Sequence, residues 1–180
     1  MRITFVLPPI DMSGGNRVTA IYAEALQQRG HDVTIVHLPR QRPSIINRLR
    51  RLVYQHKWRF TPTPPASHFY NKGLKIHMID RPRPVVEADV PDADVVIATW
   101  WETAHWVNAF GPQKGAKVYF MQDYGAPNQP LEKVCQTWNF PMRMITVSSW
   151  LRDQVTEFNG RTPDLIANAV DTHTFTLPPR

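Results

Sequence analysis

The sequence has little cysteine, no long apolar run and none of the common glycine fingerprints. Its 180 residues include one cysteine, Cys135, which excludes an internal disulfide framework. No stretch approaches the ~18 consecutive apolar residues of a membrane-spanning helix, so no such helix is expected. The first apolar segment is short and is broken by Pro8 and Pro9, which favours a buried strand over a signal peptide. These absences make a cytoplasmic protein the default expectation.

Two glycine motifs of nucleotide-binding proteins are missing. The chain has neither the G-x-G-x-x-G pattern of dinucleotide-binding folds nor the G-x-x-x-x-G-K-[ST] pattern of P-loop proteins. No acidic residue ends the second apolar run, where His37-Leu38-Pro39 stands, and this counts against a dehydrogenase or a methyltransferase. The 7 histidines show no metal-ligand spacing, and one cysteine cannot complete a zinc site. We therefore expect no metal and no cofactor.

Positive charge is concentrated in one segment of the chain. The formal net charge is +6, and much of the excess lies between Arg40 and Arg59. The stretch from Ser44 to Arg59 combines an apolar stripe with flanking arginines, which predicts a basic amphipathic helix. Two interpretations stay open: a helix packed on the domain with a solvated basic face, or peripheral attachment to the anionic inner face of the cell membrane. No nucleic-acid partner is expected, because no known binding module accompanies the charge.

Short apolar runs alternate with helical patterns along most of the chain. The candidate strands are 3–7, 33–38, 74–79, 95–99, 117–121, 144–147 and 165–167. The candidate helices are 16–29, 103–110, 130–138 and 149–158. Continuous apolar strands alternating with helices indicate a mostly parallel sheet with helices on both faces. We therefore predict a single, doubly wound α/β domain of the Rossmann-like type, interrupted by proline-rich loops at 60–71 and 81–91.

The first predicted helix has a regular apolar pattern. Gly30 is expected to end it, because glycine is the usual residue just past a helix C-terminus. The residues at helical spacing, which form the predicted buried face, are Val18, Ile21, Tyr22, Ala25 and Leu26.

A pair of glycines stands between the first strand and this helix. Gly14 and Gly15 follow Ser13, and glycine removes the side chain that would block close approach of a ligand. The N-terminus of the helix, at about Asn16, would then attract a phosphate or a diphosphate. Arg17 either adds a charge there or points to solvent. The alternative interpretation is a tight turn with no ligand.

Polar and aromatic residues follow three of the later strands. Because the carboxyl ends of parallel strands meet at one edge of a sheet, these residues should line one cleft. Aromatic rings pack on sugar faces while polar groups fix orientation, so the set suits a sugar or nucleoside site. Either tryptophan also fits core packing, and Asp123 also fits a cap of the following turn. The candidates are Trp100, Trp101, Glu102, Gln122, Asp123, Tyr124, Ser148 and Ser149.

The glycine loop and a segment near the end of the sequence together resemble a known family. Residues 166–172 read Ile-Ala-Asn-Ala-Val-Asp-Thr and are followed by Phe175. This pairing resembles the N-terminal half of GT-B-fold glycosyltransferases of the large retaining family 4, in which an I-x-N-G-V-D-x-x-x-F segment leads into the second domain. The Y-F-M-Q-D-Y and T-W-W-E-T-A runs are similar to a subset associated with synthesis of rhamnan and related polysaccharides.

The resemblance implies a reaction and a division of the chain. Residues 1–172 would be the Rossmann-like acceptor-side domain, including the basic and proline-rich region at 40–91. Residues 173–180 would be a linker toward a C-terminal domain that the sequence lacks. The donor would be a nucleotide-diphospho-sugar, and a hexosyl or deoxyhexosyl group would pass to a glycan or lipid-linked acceptor with retention at the anomeric carbon. Because the missing domain normally holds the nucleotide, the chain should be inactive unless that domain is supplied in cis or in trans.

The resemblance also assigns roles to individual residues. Many members carry a histidine near the transferred sugar where Gln122 stands, often followed by an acidic residue. We predict that Asp123 faces the cleft as the catalytic residue, either accepting a hydrogen bond from a sugar hydroxyl or acting as a general base. Asn168 lies in the segment that leads to the second domain. The residues of the donor diphosphate and acceptor loop are Ser13, Gly14, Gly15 and Arg17. The glutamine and the missing half leave open a non-catalytic Rossmann-like module that binds a nucleotide or glycan, or regulates a partner.

Overall fold

The computed structural model describes residues 1–40, 66–124 and 129–169. Its seven strands form one parallel sheet in the order β3-β2-β1-β4-β5-β6-β7. The strands are β1 (Arg2–Leu7), β2 (Asp32–His37), β3 (Lys75–Met78), β4 (Val95–Ala98), β5 (Ala116–Met121), β6 (Arg143–Thr146) and β7 (Asp164–Leu165). β1 pairs with β2 on one side and with β4 on the other, so the strand order reverses at β1. This reversal is the topology of doubly wound folds.

Helices cover both faces of the sheet. The α-helices of the described segments are α1 (Gly14–Gln28), α2 (Trp101–Asn108), α3 (Leu131–Trp138) and α4 (Ser149–Asn159). One hydrophobic cluster joins Ala20 and Ala23 of α1 to Phe5 of β1. A second cluster contains buried residues of α2, α3 and α4 together with Val96 and Met144 from the strands. The predicted fold class is therefore confirmed, and the sheet is parallel throughout the part that is described.

The predicted elements agree with the observed ones to within about two residues at most ends. Gly30 follows α1 with a φ of +84°, as expected for a residue just beyond a helix end. The proline-rich loop at 81–91 contains one short 3-10 turn, Glu87–Asp89. The predicted basic helix from Ser44 to Arg59 lies outside the described residues. In the segments that are described, no helix has both the length and the apolar character needed to span a membrane.

The buried face of α1 differs from the predicted one. Ile21 is 50% exposed. The residues of α1 that are buried have small or short side chains, namely Asn16, Thr19, Ala20 and Ala23. Such side chains bring the helix backbone close to the sheet, whereas hydropathy alone gives more weight to Val18 and Ile21. The side of α1 that faces the sheet is therefore determined more by the size of its side chains than by their hydropathy.

β2 ends in a buried histidine. His37 is 5% exposed, and its Nδ1 lies 2.8 Å from the backbone oxygen of Leu38. Burial lowers the pKa of His37, the hydrogen bond to Leu38 opposes this effect, and the charge of His77 lowers it further, with a net result below the ordinary value of 6.5. The unfolded chain therefore binds a proton more readily than the folded one, and stability is lost as the pH falls below about 6.5.

We expect the free energy of unfolding to fall between about pH 7.5 and about pH 5.5, and His37→Gln to reduce that fall. Each pH unit that separates the folded and unfolded pKa values is worth about 1.4 kcal/mol. Urea denaturation at the two pH values measures the effect. His68→Gln, at a half-buried residue outside the strands, is the control and should keep the wild-type dependence. An unchanged dependence in His37→Gln would contradict the assignment.

Candidate functional site

A cleft of about 790 Å³ opens at the carboxyl edge of the sheet. It lies between the β1–α1 loop, the first turns of α1, and the residues that directly follow β4 and β5. β1 and β4 flank the point where the strand order reverses. Ligands of doubly wound folds bind at this point, outside the carboxyl ends of the strands.

The cleft brings together predicted residues that are far apart in sequence. They come from the glycine loop, from the ends of β4 and β5, and from the segment after β7. The predicted residues that line the cleft are Ser13, Gly14, Gly15, Trp100, Gln122, Asp123 and Asn168. Their individual roles in binding or catalysis stay predictions.

Other predicted residues are not among those lining the cleft. Ser148 Oγ accepts a hydrogen bond of 3.3 Å from the backbone N–H of Leu151, so it caps α4. The ring of Tyr124 lies 4.8 Å from that of Trp138, and Trp101 packs against the hydrophobic core. The predicted residues that are exposed outside the lining are Arg17, Glu102 and Ser149.

α1 begins at Gly14, two residues earlier than predicted. Neither Gly14 nor Gly15 has a positive φ, so the pair forms the start of the helix and not a tight turn. A Cβ at Gly14 would meet nothing within 4 Å, and one at Gly15 would lie 3.7 Å from Gln122 Oε1. The fold itself therefore does not require glycine at either position. Because they have no side chain, the two glycines leave the backbone of the first turn of α1 accessible from the cleft.

The N-terminus of α1 has no side-chain cap. Ser13 occupies the N-cap position, but its side chain accepts no hydrogen bond from the helix, and the first turn contains no acidic residue. The backbone N–H groups of this turn therefore keep their capacity to bind a ligand. Together with the positive end of the helix dipole they favour an anionic group in the cleft.

Asp11 holds the loop that precedes α1, and sequence reasoning missed it. Its Oδ1 accepts hydrogen bonds from the backbone N–H of Ser13 at 2.8 Å and from Asn16 Nδ2 at 2.7 Å. Burial by itself raises the pKa of Asp11, but the hydrogen bonds from Ser13 and Asn16 and the charge of Arg40 hold this pKa below its ordinary value. Asp11 is therefore ionised at neutral pH. An aspartate two residues before a helix N-cap is a turn signal that points to such a role.

Gln122 joins the end of β5 to the first two turns of α1. Its Nε2 donates to the backbone oxygen of Gly15 at 3.3 Å and to Thr19 Oγ1 at 3.2 Å. Because a carbonyl oxygen only accepts hydrogen bonds, the Nε2 must face Gly15, and no residue in the described part of the chain donates to the Oε1. Thr19 lines the cleft as well. No local pattern reveals this contact, since it joins residues more than a hundred positions apart.

The residues that follow β4 are fixed by a threonine one turn further on. The backbone N–H of Trp100 donates to Thr103 Oγ1 at 2.9 Å, and this hydroxyl donates to the backbone oxygen of Trp100 at 2.8 Å. Thr99 Oγ1 donates to the backbone oxygen of Val6 at 3.2 Å and so ties β4 to β1. These bonds hold Trp100, which is half-buried, at the mouth of the cleft.

Asp123 is the second residue after β5 and is exposed at the cleft. Its Oδ2 accepts a hydrogen bond of 3.4 Å from Gln129 Nε2. A carboxylate and a half-buried indole ring that line one cleft suit a sugar, because the ring packs on the sugar face and the carboxylate accepts from a hydroxyl. Among the described residues, no three histidine, cysteine, aspartate or glutamate side chains are grouped so that they could hold a metal ion.

Comparison with protein families matches residues 12–174 to Glycosyltransferase Family 4. The matched range contains every predicted site residue and every lining residue except the first ones of the β1–α1 loop. Searches of curated proteins and of solved structures gave no match. The family match extends over most of the sequence, and it agrees with the parallel sheet and with the position of the cleft. The chain belongs to glycosyltransferase family 4.

Proposed function

We propose that this domain forms the acceptor side of a cleft in which a sugar passes from a nucleotide-diphospho-sugar to a glycan or lipid-linked acceptor. The observation that carries the proposal is the uncapped N-terminus of α1, which opens into the cleft through Gly14 and Gly15. Backbone N–H groups bind phosphate oxygens there without a basic side chain. Trp100 and Asp123 supply the ring and the carboxylate that an acceptor sugar requires.

The proposal includes the division of labour that the resemblance implies. Residues 1–172 act as the acceptor-side half, and residues 173–180 lead toward a half that binds the nucleotide, in cis or in trans. The transferred group is a hexose or a deoxyhexose, as in rhamnan and related polysaccharides, and the anomeric configuration is retained. The segment from Ser44 to Arg59 places the enzyme at the inner face of the cell membrane, close to a lipid-linked acceptor.

Asp123 is the proposed catalytic residue. An acceptor hydroxyl that donates to its carboxylate is oriented for attack on the anomeric carbon of the donor. The hydroxyl oxygen attacks from the face of the sugar that the nucleoside diphosphate leaves, so the anomeric configuration is retained. The carboxylate takes the proton as the new glycosidic bond forms, and the nucleoside diphosphate leaves with the electrons of the broken bond. General-base assistance of this kind contributes about 10²–10⁴ in rate.

Calorimetric titration of the full 180-residue chain tests the division of labour. The ligands are UDP-, GDP- and dTDP-sugars and an oligosaccharide acceptor. Glycan binding with weak or undetectable nucleotide binding is the expected result. Tight binding of a nucleotide-sugar by this chain alone would contradict the proposal and favour a self-contained binding module.

Gly14→Ala separates a ligand-binding role from a structural one. We expect stability to be unchanged or higher by up to about 0.5 kcal/mol, because alanine favours the helix and its Cβ meets no other atom. We also expect binding of inorganic pyrophosphate, a probe of the diphosphate position, to weaken about tenfold, because Gly14 lines the cleft and an added methyl group there would reduce access to the helix N-terminus. NMR titration of the α1 amides measures this affinity.

The control is Ser149→Ala at the exposed start of α4, outside the cleft lining. It should leave both pyrophosphate affinity and stability as in the wild type. A Gly14→Ala variant that binds pyrophosphate as the wild type does would show that the glycine loop does not meet the diphosphate.

A further inference from the structure

The charged side chains in the lining of the cleft are all acidic among the described residues. Asp11 and Asp123 belong to it, whereas no lysine, arginine or histidine of the described segments does. Arg40, whose charge acts on Asp11, donates from its Nε to the backbone oxygen of Ile10 at 3.1 Å and is not a lining residue. A negatively charged ligand against this lining meets two carboxylates, and no basic side chain of the described segments belongs to the lining itself.

The amide donors of the lining are used inside the protein. Both hydrogens of Asn16 Nδ2 are directed at oxygens of the β1–α1 loop, at 2.7 and 3.4 Å. Both hydrogens of Gln122 Nε2 are directed at oxygens of α1, at 3.3 and 3.2 Å. Within residues 1–40, 66–124 and 129–169, nothing donates to either amide oxygen, so each oxygen offers an acceptor to a ligand.

The threonine hydroxyls of the lining donate inside the protein as well. Thr19 Oγ1 donates to the backbone oxygen of Gly15 at 3.0 Å, and Thr99 Oγ1 donates to that of Val6 at 3.2 Å. A hydroxyl whose proton is committed in this way offers only its lone pairs. The two amides, the two threonine hydroxyls and the two carboxylates of the lining thus all offer hydrogen-bond acceptors to a ligand.

We infer that this side of the cleft recognises an uncharged, hydroxyl-rich acceptor sugar and disfavours one that carries a carboxylate or phosphate, with Gln122 Oε1 as a specificity-determining acceptor in the same lining as Asp11 and Asp123. Sugar hydroxyls donate to these side-chain acceptors, and the backbone N–H groups at the start of α1 remain as donors in the same cleft. The inference rests on the proposed function and specifies the chemical class of the acceptor.

The donor diphosphate is compatible with this surface because its partner is the backbone of the first turn of α1. A uronic acid has the same helix end as its favourable contact and the two carboxylates as unfavourable ones. Measured affinities for matched neutral and anionic sugars therefore show whether attraction to the helix N-terminus or repulsion by the two carboxylates is stronger at the acceptor position.

Ligand-observed NMR titration of the full chain tests the inference. The probes are the methyl glycosides of glucose, galactose and mannose, each beside the corresponding uronic acid. Among the pairs that bind, we expect the neutral sugar to bind about tenfold more tightly, the equivalent of about 1.4 kcal/mol. The double variant Asp11→Asn with Asp123→Asn should reduce this preference about fivefold or more, since both charges are removed while an acceptor oxygen is kept at each position. Asp153→Asn, at an exposed carboxylate of α4 outside the lining, should leave the preference unchanged.

Two substitutions of Gln122 distinguish the role of its acceptor oxygen in sugar binding from the role of its hydrogen bonds to α1. Gln122→Met and Gln122→Glu both remove the donors to Gly15 and Thr19, so a purely structural role predicts equal losses of neutral-sugar affinity. The inference predicts about a fivefold loss for Gln122→Met and less than about twofold for Gln122→Glu, which keeps an acceptor oxygen.

Each outcome decides one of the two proposals. A uronic acid that binds as tightly as its neutral partner, or more tightly, would overturn the inference and leave the acceptor-side function standing. If no sugar of the panel and no oligosaccharide binds while a nucleotide-sugar does, the acceptor-side function itself fails, and the inference fails with it.

Discussion

Gly115→Ala should destabilise the domain by about 3–4 kcal/mol, the largest stability effect that we expect from a single added methyl group. Gly115 lies just before β5 with φ of +82° and ψ of −168°, a region that is almost restricted to glycine. A Cβ there would stand 2.4 Å from the backbone carbonyl of Asp94 and 2.6 Å from the backbone oxygen of Ala93. Because these atoms belong to the backbone that leads into β4, relief of the clash requires β4 and β5 to separate.

Gly160→Ala is the matched control for this prediction. Gly160 follows α4 with φ of +74°, but a Cβ would meet nothing within 4 Å. Its substitution therefore adds conformational strain without a clash and should cost about 1–2 kcal/mol. Urea denaturation of both variants measures the difference. Equal losses would mean that the contact with residues 93 and 94 does not fix the position of β5.

Asp123→Asn should lower the rate of sugar transfer about 100-fold in the enzyme completed by its nucleotide-binding half. Asparagine keeps an oxygen that accepts a hydrogen bond from the acceptor hydroxyl, but it cannot take the proton. The expected signature is therefore a fall in kcat with a smaller change in KM for the acceptor. Release of nucleoside diphosphate in the presence of acceptor measures both.

Glu102→Gln controls for the loss of a negative charge near the same sheet edge. Glu102 is an exposed carboxylate at the start of α2 and is not a lining residue of the cleft. Its variant should transfer sugar at close to the wild-type rate. An Asp123→Asn variant within about threefold of the wild type would show that Asp123 orients the acceptor without acting as a base.

The sequence was a good guide to the elements and to the edge of the sheet that carries the cleft. Apolar runs and turn residues are local signals, and they located every observed strand. Trp100, Gln122 and Asp123 could be placed at the cleft because position after a buried strand determines the sheet edge. The start of α1 was less predictable, since the low helix propensity of Gly14 and Gly15 argues against the helix that they begin.

The rest of the site depends on contacts that a linear pattern does not contain. Asn16 and Thr19 are polar, yet they lie on the buried face of α1, where hydrogen bonds satisfy them. Asn16 belongs to the site through its hydrogen bond to Asp11 in the preceding loop. Thr19 belongs to it through its hydrogen bond from Gln122 at the end of a distant strand. Tyr124 and Ser148 show the reverse case. Both follow strands as ligand-binding residues do, but one packs on Trp138 and the other caps a helix.

The central position of β1 has a consequence for synthesis of the chain. β1 is made well before β4, which spans Val95–Ala98, yet one of the edges of β1 pairs with β4. Until that strand leaves the ribosome, the nascent β1-α1-β2 unit carries an open apolar strand edge that invites pairing with other chains. We expect the domain to depend on chaperones during translation, and truncations that end before β4 to aggregate.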